Sequence, residues 1–280
     1  MTKVNLGFKA FDVHELLCHF VAQRGGFYRQ HGLQVGLIDT TFVPDDKLPP
    51  RTFHAACGAV LLGYINGATC KVLLVNTDRP MFWLHGANGV NSVAELAGKR
   101  IASYPGMAPP AHFLAAITAS TEVQLLPVST DVARLGLLRS GDVDVALISS
   151  ALPPAIMARH GFSNALLLGD EFRAPSTGLA INSALLSEEP GLVASMVKAH
   201  QQSLASIHSD DTLLKLVLAE DLGLPVPAVA ETVMLVRQLF TKDGRSSKAV
   251  EQEAIAAVAA RLGVEELPTE PLYDYKLLTV

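Results

Sequence analysis

The stretch from Val4 to Ile38 reads Val-Asn-Leu-Gly-Phe-Lys-Ala-Phe-Asp-Val-His-Glu-Leu-Leu-Cys-His-Phe-Val-Ala-Gln-Arg-Gly-Gly-Phe-Tyr-Arg-Gln-His-Gly-Leu-Gln-Val-Gly-Leu-Ile. Val4 to Phe8 is a short strand. From Val13 the apolar residues Leu16, Leu17, Phe20 and Val21 fall at helical spacing. Asp12, three residues before Glu15, makes a capping box with Asp in place of Ser or Thr. Gly25 and Gly26 stop the helix, and Leu33 to Ile38 is the next strand. Strand, helix, strand in so short a span predicts an α/β protein with mostly parallel sheets.

The same alternation continues downstream. Ala55 onward reads as a strand end turning into a helix that stops near Gly67, and Lys71 to Asn76 is a strong β run. Met81 to His85 continues extended into a Gly/Asn-rich break at Gly86 to Asn91, read as a lobe boundary. Strands are predicted at Arg100–Ser103, Val123–Pro127, Val143–Ile148 and Leu166–Leu168. Helices are predicted at Ala111–Ala119 behind Pro109 and Pro110, at Asp131–Ser140 and at Pro153–His160. Gly178–Asn182 reads as the strand returning between lobes. The rest is helical: Ser187 to about Ile207, Asp211 to about Leu222, Pro227 to Phe240 and Ser247 to Leu262. No period of 20 to 50 residues repeats, which excludes solenoids and propellers.

Composition narrows the function. Of 280 residues, 49% are hydrophobic and only 18% charged, with a net charge of −5. Mean hydropathy is +0.31. The chain carries no basic face for nucleic acid and no polybasic membrane signal. No apolar run is long enough to span a bilayer. Three cysteines without a C-x-x-C pair argue against a disulfide framework and for a reducing compartment. The N-terminus has no apolar signal region. The expected location is cytoplasmic as the sequence stands, or periplasmic if a signal peptide has been removed.

Motifs for nucleotide cofactors are missing, as is a G-x-S-x-G elbow, so no cofactor is assigned. His14 and Cys18 lie four apart, His54 and Cys57 three apart, with His19 nearby. This could make a soft-metal site, but the spacing matches no finger pattern, and a free Cys packs as a small hydrophobe. No metal is assigned. Asp142 and Asp144 could form a carboxylate pair for acid–base work, but they read first as the residue closing the turn after Gly141 and the residue beginning the strand.

Ligands of open α/β sheets bind beyond the carboxyl ends of strands, against helix N-termini. Those loops hold Lys9, Phe11 and Asp12, then Cys57 and Gly58, then Gly106 and Met107. Ser149 and Ser150 follow, and Phe172 and Arg173 come last. Phe11, Trp83, Met107 and Phe172 are the expected apolar contacts, and Lys9 or Arg173 the charge partners. Amides of Cys57–Gly58 and of Met107, Ala108 and Ala111 are the expected anion donors. Equally, Trp83 reads as core and both cations as solvated surface.

Several segments together resemble solute-binding proteins of ABC transporters of the nitrate/sulfonate/taurine type, a group that includes the thiamine pyrimidine synthases. Phe20 to Val35 resembles their opening A-x-x-x-G-[FY]-[FY]-x-x-x-G-L-x-V. Val93 to Ala102 resembles their x-x-D-L-x-G-K-x-I-x signature, and Leu137 to Ala146 their A-L-x-x-G-x-V-D-A turn. Gly178 to Pro190 resembles the return strand and the helix after it. The likeness spans roughly residues 4 to 210.

It implies a type II periplasmic-binding fold: two α/β lobes, residues 1–85 plus 183–280 and 86–182, with a ligand cleft between them and hinge closure. It also implies a small anionic or aromatic ligand and an ABC permease as partner; the sequence leaves an oligomer open. The Cys-rich motif of the pyrimidine synthases is absent. The alternative reading is an enzyme on the same fold, pyrimidine-forming or decarboxylase-like, acting on a small heterocyclic or aromatic acid through His14, His54 and Cys57.

Overall fold

The computed structural model describes residues 1–279. The chain forms two compact units. Unit one runs Met1–Asp78 and resumes at Ala174; unit two is Arg79–Arg173. Unit one opens with β1 (Thr2–Phe8), α1 (Val13–Arg24), α2 (Phe27–Gln30), β2 (Leu33–Asp39), β3 (Thr52–His54), α3 (Cys57–Ile65) and β4 (Cys70–Thr77). Unit two holds β5 (Phe82–Gly86), β6 (Arg100–Ser103), α4 (Pro109–Ile117), β7 (Gln124–Pro127) and α5 (Asp131–Ser140). It ends with β8 (Val145–Ser149), α6 (Pro154–Arg159), β9 (Ala165–Leu167) and α7 (Leu168–Glu171). Unit one closes with β10 (Thr177–Asn182), α8 (Ser183–Glu188), α9 (Pro190–Ser209), α10 (Asp211–Leu216), α11 (Val226–Leu239) and α12 (Lys248–Leu262).

The two sheets share one plan. Unit one orders its strands β2-β1-β3-β10-β4, and unit two orders them β7-β6-β8-β5-β9. In each, three strands run parallel at one side. The fourth place is taken by an antiparallel strand, β10 or β5, that enters as the chain arrives from the other unit. Both sheets are therefore mixed, with four strands running one way and a single strand against them. Short βα connections build the parallel strands, and the chain's two crossings supply the reversed one.

That pairing also moves the expected boundaries. The reading of the sequence placed the strand around Trp83 in the first lobe and Gly178–Asn182 in the second. Hydrogen bonding puts Trp83 opposite Ile148 and Leu167, and Ile181 opposite Phe53. Both strands are short and apolar, so composition alone does not say which sheet takes them.

The helical tail differs in detail. One helix expected from Ser187 is two, because Pro190 opens α9 and ends α8 before it. The helix expected at Asp211–Leu222 becomes a five-residue π turn at Val217–Asp221.

In the core of unit one, Leu16, Leu17 and Val21 of α1 are fully buried. There α1 and α9 meet around a polar chain. The Tyr28 hydroxyl lies 3.1 Å from His19 Nδ1 and 3.0 Å from His200 Nε2. Burial holds both imidazoles neutral, with His19 pushed down to about 4 and His200 to about 3. Among the described residues, no helix is long and apolar enough to cross a membrane.

Candidate functional site

In unit one, β1, β3 and β4 end and β10 begins at the same edge of the sheet. Beyond β1, Asp12 caps α1 and its carboxylate accepts the Glu15 N–H at 2.9 Å. A full capping box would send the Glu15 carboxylate back to the Asp12 amide. Instead it accepts the Lys9 N–H at 2.7 Å, strapping the β1–α1 turn to the helix. Burial, with Asp12 beside it, pushes the Glu15 carboxyl up to about 8. The Lys9 ammonium donates to the Thr40 carbonyl. Phe11 stands 53% exposed, edge-on to Phe8 at 6.0 Å and Phe20 at 5.7 Å.

The same edge holds buried polar atoms without partners. Neither the oxygen nor the nitrogen of the Asn76 side-chain amide, at the end of β4, has a hydrogen bond. The Thr177 hydroxyl, at the start of β10, also has none. Both side chains are buried. Buried polar groups in folded proteins are nearly always paired, so each of these atoms is open to a partner from outside the chain.

In unit two, β6 and β8 end at one edge, and Asp131 at the start of α5 ties them together. Its carboxylate accepts the Ser149 N–H at 2.9 Å and the Ser149 hydroxyl at 2.7 Å. Arg134 Nη2 donates to the same carboxylate at 2.7 Å. The Arg134 guanidinium is fully buried and sits 3.6 Å from the centre of the Tyr104 ring. Tyr104 also meets Phe82 edge-on at 5.5 Å. Here too one buried hydroxyl, Ser103 Oγ at the end of β6, has no partner.

The structure sorts the expected contacts. Phe11, Asp12, Gly106, Met107, Ser149 and Ser150 occupy the edges, with Met107 73% exposed. Trp83 is 3% exposed, in the middle of the second sheet, and Phe172 packs on Phe113 at 5.8 Å. Both are packed in the core of unit two. Arg173 is exposed, while Lys9 is held by Thr40.

Three of the expected anion donors are already spent within the chain. The Gly58 N–H donates to Ser176, Ala108 to Pro105 and Ala111 to Ala108, at 2.9–3.0 Å.

His14, His54 and Cys57 sit in different surroundings. His14 is buried and pushed down to about 3, and burial pushes the Cys57 thiol up. His54 lines a cavity on the face of the sheet. Among the described residues, no three His, Cys, Asp or Glu side chains are placed to hold a metal.

Asn76, Thr177, Ser103, Asp131 and Arg134 were not singled out from the sequence. The signal for Asp131 was present, but an Asp in the first turn of a helix reads first as a dipole partner.

This fold is that of the periplasmic binding proteins. The alkanesulfonate-binding protein SsuA of Xanthomonas axonopodis pv. citri, solved with MOPS, matches at TM-score 0.75 and 17% identity, over 98% of each chain. A Candida albicans gene product, CA3427, described as having the generic periplasmic binding protein fold, matches at TM-score 0.73 and 11% identity, over 100% of this chain and 98% of that one. The desulfurization enzyme DSZB matches at TM-score 0.69 and 16% identity, over 98% of this chain and 97% of that one. At these identities the likeness establishes the fold. No protein-family model matches the sequence, and no curated protein does.

Proposed function

We propose that the chain is a solute-binding protein that captures a small anionic or aromatic metabolite at the carboxyl edges of its sheets and hands it to an ABC-type permease. The observation that carries this reading is the set of unpartnered, buried polar atoms at those edges: the Asn76 amide, the Thr177 hydroxyl and Ser103 Oγ. A solute bound at the edge of a sheet supplies the partners that the polar atoms of that unit lack. The exposed side chains of Phe11 and Met107 supply apolar contact. The shared fold with sulfonate-binding proteins supports the same reading. Burial raises the Cys57 thiol, which weighs against the enzymatic alternative, and the fold shared with the desulfurization enzyme DSZB weighs for it.

Asn76→Ala and Ser103→Ala provide the test, read by calorimetric titration with short alkanesulfonates and aromatic carboxylates and by urea unfolding. Each variant is expected to bind about tenfold more weakly, a loss of ~1.4 kcal/mol. Each is also expected to be as stable as the parent or more so, since an unsatisfied group has been removed. A loss of stability with unchanged affinity would make these groups structural and defeat the reading.

A further inference from the structure

Unit one has a cavity of about 320 Å³ on the face of its sheet. It runs from Lys9 and His54 at one end to Cys70 and Asn182 at the other. Cys70 begins β4 and Asn182 ends β10, so the cavity reaches the sheet edge opposite Asn76 and Thr177. One wall is α3, which presents Ala59, Val60 and Gly63, and another is Leu185 of α8. The third is the loop Leu48–Arg51.

That loop is held rigidly. Asn5 donates its backbone N–H to the Arg51 carbonyl at 3.0 Å and its side-chain amide to Pro50 at 3.3 Å. Thr52 Oγ1 donates to the Pro49 carbonyl at 2.7 Å. Arg51 itself takes φ = 58°, a conformation costly for a side chain of its size, which persists only where the surroundings enforce it. Its guanidinium bonds Glu189, which also lines the cavity, at 2.7 Å. Strain of this kind clusters where a protein clamps a ligand.

The chemistry inside is specific. The imidazole of His54 has no hydrogen-bond partner among the described residues. Burial lowers its basicity, so it is neutral at pH 7, with one donor and one acceptor nitrogen. The charged groups around it are Lys9 and Arg51 against Asp45, Glu188 and Glu189. Two cations against three carboxylates disfavour an anion. The remaining walls are mostly apolar.

We propose that this cavity binds a small uncharged aromatic molecule with one hydrogen-bond donor, of the indole or phenol class. Its ring lies between Val60, Leu185 and Leu48, and its N–H or O–H is donated to His54. The cavity adjoins the carboxyl edge at Lys9 and His54 and extends from there across the sheet face to Cys70 and Asn182, away from Asn76 and Thr177.

The test is a titration of the whole protein with indole, followed by methyl and imidazole NMR. Saturable shifts are expected at His54, Val60 and Leu185. His54→Phe is expected to weaken binding at least fivefold. Gly63→Val, which fills the cavity from α3, is expected to weaken it at least tenfold; a Cβ there meets only Ala68, at 3.6 Å. Unchanged methyl signals from Leu16, Leu17 and Val21, in the core of unit one, verify that each variant is folded. Benzoate is expected to bind at least tenfold more weakly than indole, and Asn76→Ala to leave indole binding unchanged. Non-saturable shifts, indifference to both cavity variants, or equal binding of benzoate would each overturn the proposal. None of these results bears on solute capture, which Asn76→Ala and Ser103→Ala test on their own.

Discussion

Glu15 carries an electrostatic conflict that pH can read. Two backbone N–H groups favour its ionised form, while burial and the neighbouring Asp12 oppose it and prevail. A carboxyl raised from 4.5 to about 8 is protonated in the folded chain and ionised in the unfolded chain across that window. The stability it contributes is therefore full below pH 4.5 and lost as pH rises through about 8. Glu15→Gln keeps an acceptor for the Lys9 amide and removes the titration. Relative to the parent it should gain stability from pH 4.5 to 8, by up to ~1.4 kcal/mol per pH unit. Urea unfolding at several pH values measures this, and a flat difference would mean that Glu15 is ionised in the fold. The capping role of Asp12 was legible from its spacing to Glu15. The strap to Lys9 was not, because the same spacing serves a carboxylate returning to the cap.

At α5, Asp131 and Arg134 join the ends of β6 and β8 through one buried pair. Removing a single partner leaves an uncompensated buried charge. Asp131→Ala should lower the unfolding free energy by about 3–5 kcal/mol. The double variant Asp131→Ala with Arg134→Met should recover part of that loss, as chemical denaturation of the two will measure. Equal losses would mean that the pair's charges are solvated.

Gly178 is decided by the packing of β10. A Cβ there would lie 2.0 Å from the Leu74 carbonyl oxygen, beside an irregular step in the β10–β4 register. Gly178→Ala should cost at least about 1–3 kcal/mol, seen as a lowered midpoint in thermal unfolding. The strand Gly178–Asn182 was visible in the sequence. Its sheet was not, because a short apolar strand fits the interior of either sheet, and partners distant in sequence decide.

Across the molecule, the α/β class and nearly every element could be read from hydrophobic period and glycine or proline punctuation, which act locally. The site was only partly legible. Exposed edge residues such as Phe11 and Met107 follow from their place after strands. Trp83, Phe172, His14 and Cys57 looked equally suited to a ligand, and their residue types did not show that the fold buries them. Burial is a property of the whole fold, as are the unpartnered Asn76 and Thr177, whose residue types draw no notice along a strand.

The most direct measurement is a thermal-shift titration with short alkanesulfonates, MOPS, aromatic carboxylates and inorganic anions, with each compound recovered and identified afterwards. If the chain is a solute-binding protein, one of these classes at about a hundred times its dissociation constant stabilises it by roughly 2.7 kcal/mol. That corresponds to a rise of roughly 5 °C or more in Tm, with the compound returned intact. No shift from any class, or a stabilising compound recovered as a different product, would contradict capture without chemistry.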